Sequence, residues 1–103
     1  MADKTIRGCI SKDGQIYSGS GYNPDYLGGG IYEIKWDKPF SDVPAVVLTQ
    51  NYKDWNNFGS SGGSTLDNAV LIAVDMEKCK VKTGGSSGAG TDRNFTFIAI
   101  GAE

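Results

Sequence analysis

Side chains able to do chemistry gather in three stretches rich in glycine and small polar residues. Residues 19–30 hold Tyr22, Asp25 and Tyr26. Residues 51–67 hold Tyr52, Asp54, Trp55, Asn57 and Phe58, and residues 84–93 end on Asp92 and Arg93. Aromatic faces set among carboxylates, amides and backbone N–H groups suit a small, neutral, polyhydroxylated ligand. The apolar face of a sugar ring stacks on Tyr or Trp, while carboxylates and amides fix the direction of its hydroxyls. In that reading Tyr22, Tyr26, Tyr52 and Trp55 stack, and Asp25, Asp54, Asp92 and Asn57 exchange hydrogen bonds with hydroxyls. Arg93 orients a carboxylate or a hydroxyl. The competing reading makes Tyr22, Tyr26, Tyr52, Trp55 and Phe58 plain apolar caps on the open end of the fold.

Other chemistry is excluded or thin. The sequence has no histidine, which removes Ser-His-Asp triads, Cys-His dyads, HExxH zinc sites and any imidazole base. No metal or cofactor is expected. Residues 85–91 have a spacing like a phosphate-binding loop, but no lysine precedes Thr91 and no helix is expected to follow. Gly28-Gly29-Gly30 likewise lacks the strand–turn–helix setting of a dinucleotide site. A hydrolase would need Asp25, Asp54 and Asp92 to pair at glycosidase spacing. Open loops on so small a domain are poorly suited to excluding water or raising a carboxyl pKa, so a non-enzymatic protein is expected.

The elements that must position these loops read as strands. The chain has 103 residues, 39% of them hydrophobic, with 15 glycines and 3 prolines, which fits one small turn-rich domain over residues 1–103. Period-2 alternation recurs, and no segment keeps a helical period beyond two turns. Seven strands are expected, at about 4–11, 15–18, Ile31–Trp36, Pro44–Gln50, Asn68–Met76, 78–82 and Asn94–Gly101. Ile6, Gly8 and Ile10 should share one face, as should Tyr32, Ile34 and Trp36. Val70, Ile72, Val74 and Met76 should form another set, Cys79 and Val81 a fourth, and Phe95, Phe97 and Ala99 a fifth. Short strands between Gly/Ser turns predict an antiparallel β-sandwich of six to seven strands. If strands alternate up and down, the compact connections near 12–14, 37–43 and 76–77 lie at one end. All three long loops then lie at the other, where function is expected.

Lys78, Lys80 and Lys82 form a basic stripe, read as the guard of an edge strand, with phosphate binding as the rival. Asn94-Phe95-Thr96 is a formal glycosylation sequon that falls in a strand and reads as chance. Cys9 and Cys79 should face opposite ways, which disulfide geometry forbids, so two free thiols are expected. Net charge is −2, giving no basic field for nucleic acid. No apolar run reaches membrane-spanning length, and membrane insertion is not expected. Met1-Ala2-Asp3-Lys4-Thr5 has no hydrophobic signal region, so cytoplasmic synthesis is expected, with extracellular action by unconventional release or in a virion. The fourth and seventh strands are apolar on both faces, more than one small core can use, which predicts self-association.

The stretches "IYEIKWDKPFSDVPAVVLT", "AVLIAVD" and "FTFIAIG" resemble the H-type lectin domain of snail agglutinins and related invertebrate and slime-mould proteins. The segment "IRGCISKDGQIYSGSG" is similar to the opening of a related β-domain of bacterial and phage tail fibres. Together they cover nearly the whole chain. The resemblance implies an antiparallel sandwich, a trimer or a hexamer of trimers, and metal-free sugar binding near protomer boundaries. The chain departs from the snail lectins at three points. Gly84 to Gly90 stand where those lectins carry a Trp-His pair, Ala69-Val70-Leu71 where they carry an arginine, and their disulfides are missing. Their N-acetylgalactosamine preference is therefore not implied. Two functions follow as expectations: an oligomeric lectin that binds a glycan or glycoconjugate, or a trimeric tail-fibre tip that contacts a host surface.

Overall fold

The structure, a computed structural model, describes residues 2–103. Its elements are β1 (Asp3–Ile10), β2 (Ile16–Gly19), β3 (Tyr22–Gly28), β4 (Ile31–Trp36), β5 (Ala45–Asn51), β6 (Asn68–Val74), β7 (Lys78–Gly84) and β8 (Asn94–Ala102). No helix occurs among the described residues, so none is long and apolar enough to cross a membrane. The strands form two four-stranded antiparallel sheets, ordered β2-β1-β8-β5 and β3-β4-β7-β6. The all-β, sandwich-like arrangement is as expected, with eight strands rather than six or seven.

Alternation explains which residues close the core. Ile6 and Ile10 from β1, and Phe95, Phe97 and Ala99 from β8, face inward from the first sheet. Tyr22, Tyr32, Ile34, Trp36, Cys79 and Val81 meet them from the second. The aromatic rings interlock: Tyr22 stands edge-on to Phe97 at 4.8 Å, and Tyr32 tilts against Phe95 at 5.0 Å. Gly8 makes room for this, since a Cβ there would lie 2.3 Å from the Tyr22 hydroxyl oxygen. Both thiols are free, with Cys79 buried and Cys9 half-buried on the other face of its sheet.

Three expectations change. Residues 22–28 are a strand rather than part of a loop. β3 lies at the edge of its sheet, where Pro24, which has no N–H to give, is tolerated. The Asn68–Met76 face is also reset. Leu71 pairs with Val81 and Ala73 with Lys80, so Ile72 is an extra residue, a bulge that flips the alternation. Leu71 and Val74 therefore pack on the core, while Val70, Ile72 and Met76 are exposed. Finally, β7 is flanked by β4 and β6, so Lys78, Lys80 and Lys82 guard no edge. They line the outer face of an interior strand, where Lys78 pairs with Glu33 at 3.2 Å.

Candidate functional site

With eight strands, the turn at 29–30 and the loops 52–67 and 85–93 lie at one end of the molecule. The 11–15 turn, expected at the opposite end, joins them: the Tyr32 hydroxyl donates to the Lys12 carbonyl at 2.6 Å. Burial pushes the Tyr32 phenol up to about 12, so it stays a donor at every physiological pH. The other end carries residues 20–21, 37–44 and 75–77, tied together by Asp37 N–H to Gly21 O and Phe40 N–H to Met76 O.

Asn94 is the joint of the loop end. This buried amide, at the start of β8, accepts from the Lys12 N–H at 2.8 Å through Oδ1. Its Nδ2 donates to the Lys53 carbonyl. The sequon asparagine thus spends its amide nitrogen on the 52–67 loop. Asn51 closes the same loop, accepting from the Trp55 N–H at 2.9 Å and donating to the Trp55 carbonyl at 3.2 Å. That clasp holds Trp55 in the left-handed region, at φ 57°. The indole then stacks on Tyr17 of β2, with centroids 4.4 Å apart and planes 8° from parallel. In the same loop as Trp55, Asp54, Asn56 and Asn57 are exposed, and Phe58 is 95% exposed.

The remaining residues form two braces. The Tyr26 hydroxyl donates to Asp92 Oδ2 at 2.5 Å, and the Gly30 N–H donates to Asp92 Oδ1 at 2.8 Å. The Asp92 carboxylate raises the Tyr26 phenol above its ordinary value, chiefly through that bond. Gly30 has a close neighbour as well: at φ 77°, a Cβ there would lie 2.4 Å from the Thr83 carbonyl oxygen. In the second brace, Arg93 pairs with Asp67 at 3.2 Å, donates to Gln50 Oε1 at 3.3 Å, and lies 4.8 Å from the Tyr52 ring centroid. A cavity of about 190 Å³ opens beside this brace, lined by Leu66, Asn68, Val70, Lys82 and the 83–88 backbone.

Of the nine residues expected in a site, the loop end therefore gathers seven: Tyr26, Tyr52, Asp54, Trp55, Asn57, Asp92 and Arg93. Tyr22 is not among them. It is buried at the start of β3, and its hydroxyl donates to the Ser18 carbonyl at 2.7 Å. Asp25 is not either. It stands on the outer face of the second sheet opposite Glu33, because odd-numbered positions of β3 point away from the core. Sequence reasoning missed Tyr17, Asn51, Asp67 and Asn94. An Asp and an Arg at the inner ends of two long loops were a readable signal for the Asp67–Arg93 pair. Nothing in the sequence pairs Tyr17 with Trp55. No protein-family model, curated protein or solved structure matches the chain.

Proposed function

We propose that the chain is a non-enzymatic, metal-independent carbohydrate-binding domain, H-type lectin-like in form, that engages a glycan with its loop end and acts in several copies. The observation that carries this reading is the Tyr17–Trp55 stack, an aromatic platform at the loop end, with exposed Asp54 and Asn57 in the same loop as Trp55. One ring of the pair backs the other, so little side-chain entropy remains to be lost when a sugar ring stacks on a face the pair leaves free. Asp54 and Asn57 carry the acceptor and donor groups that hydroxyls need. Asp92 has both oxygens engaged and Arg93 is braced by Asp67 and Gln50, so these two shape the site rather than touch the ligand.

A glycan array followed by titration of the best binder tests the proposal. Trp55→Ala should weaken binding at least about tenfold, or about 1.4 kcal/mol, with an unchanged circular dichroism spectrum. Unchanged affinity removes the platform from the site. The rival reading, a fibre-tip domain, draws support from the outward apolar side chains of β5 and β8. Silence across the array favours it.

A further inference from the structure

The outer face of the first sheet carries large apolar side chains with few charges among them. Val47 is 62% exposed, Val43 54%, Ile100 46% and Ile98 43%, all pointing away from the core. Ala45 joins them, and the register aligns Thr5, Ile100 and Ala45 in one row and Arg7, Ile98 and Val47 in the next. Leaving such side chains in water forgoes the burial that drives folding and association. The face carries one cation, Arg7, and one anion, Asp3, four residues apart on β1 and both exposed. Among the described residues neither forms an ion pair. The outer face of the second sheet mixes charge with apolar groups, with Lys35, Lys78, Lys80 and Lys82 set around Glu33 and Asp25 beside the exposed Val70 and Ile72.

We propose that the outer face of β1, β8 and β5 is covered by the same face of a second copy of this chain, across a two-fold axis. The axis crosses the Thr5–Ile100–Ala45 row at right angles to β1. Each copy then lays its strands antiparallel on its partner's, at the roughly 10 Å spacing of stacked sheets. Ile100 and Ala45 meet their own counterparts, Val47 meets the other copy's Val43, and Arg7 meets the other copy's Asp3. Ile98 meets the other copy's Ala102, so the arrangement pairs both charges and covers the exposed apolar side chains of this face, as an isologous contact must. The three strands, of about eight residues each, present a face of roughly 400 Å². Two copies would therefore bury roughly 800 Å², the size of a weak contact that forms at micromolar rather than nanomolar concentration. The contact uses no residue of the loop end and does not depend on glycan binding.

Sedimentation equilibrium of the full chain at tens of micromolar tests it. The parent should have the mass of an even number of copies. Val47→Lys with Ile98→Glu should halve that mass or reduce it to a monomer. These side chains are exposed, so the circular dichroism spectrum should not change. Arg7→Asp alone should weaken association about tenfold, since two ion pairs are reversed per contact. Adding Asp3→Arg should restore it. A monomeric or odd-numbered parent, a double apolar variant of unchanged mass, or a charge swap without rescue overturns the proposal. The glycan reading fails separately, through affinity for a single soluble sugar, which the monomeric variant should retain while losing avidity for a multivalent surface.

Discussion

The carboxamide of Asn94 joins two connections that are far apart in sequence, the 11–15 turn and the 52–67 loop, through one donor and one acceptor. A buried amide with both ends bonded is worth far more than its surface counterpart, because removing it strands two partners. Asn94→Ala should cost about 2–3 kcal/mol, read as a fall in melting temperature of about 10 °C or more. The same variant should lose glycan affinity, since the loop that carries Trp55 loses its anchor at Lys53. A melting temperature within a degree or two of the parent would show that the two loops hold their places without it. Tyr26 and Asp92 teach a related lesson: a carboxylate in a loop looks available in a sequence, yet here both its oxygens are taken up by the fold.

The β6–β7 connection shows how a turn acquires a pH dependence. Asp75 Oδ1 accepts from the N–H groups of Glu77 and Lys78 at 2.8 and 2.9 Å, and these bonds hold its carboxyl below the ordinary 3.8. A lowered folded-state pKa contributes stability that is fully present above about 3.8. It is lost as pH falls through the lower, folded value. Asp75→Asn keeps a side-chain acceptor for the turn but removes the titration. Denaturant melts should therefore show the variant losing less stability than the parent between pH 5 and about pH 2.5. Equal losses would mean that Asp75 is as free in the folded chain as in the unfolded one. Strands β1, β4 and β7 were legible because each has one apolar and one largely polar face, so period 2 assigned their inward residues, whereas in β8, apolar on both faces, it grouped Phe95, Phe97 and Ala99 without saying which face is inward. β3 was not, because an edge strand may carry proline, aspartate and asparagine and so reads as loop. β6 was legible as a strand, but its facing was not, because the Ile72 bulge leaves no composition signal. The loop end was legible in its aromatic and polar content, whereas the pairing of Tyr17 with Trp55 depends on long-range folding that no local pattern encodes.

At the scale of the whole molecule, Cys79 reports on how cooperatively the two sheets hold together. It is 1% exposed near the start of β7, opposite Ile34 on one side and Val74 on the other. Burial pushes its thiol up to about 12, so almost no thiolate exists in the folded chain at neutral pH. Reaching it requires the sheets to part, which breaks the core that Trp36, Phe95 and Phe97 share across them. A domain of this size is stable by roughly 5 kcal/mol or more, so an opening of that kind is populated less than about once in a thousand molecules. Cys9, half-buried on the outer side of β1, is the internal control in the monomeric Val47→Lys, Ile98→Glu variant, where no second copy lies over that face. A thiol reagent at neutral pH should modify Cys9 first and Cys79 at least three orders of magnitude more slowly, and the Cys79 rate should rise with denaturant in parallel with global unfolding. Asn94→Ala should speed Cys79 in proportion to its loss of stability, because Cys79, at the end of the sandwich far from Asn94, is reached through global unfolding. If Cys79 instead reacted at a rate insensitive to denaturant, the second sheet would open on its own, and the sandwich would be two weakly coupled layers rather than one cooperative unit.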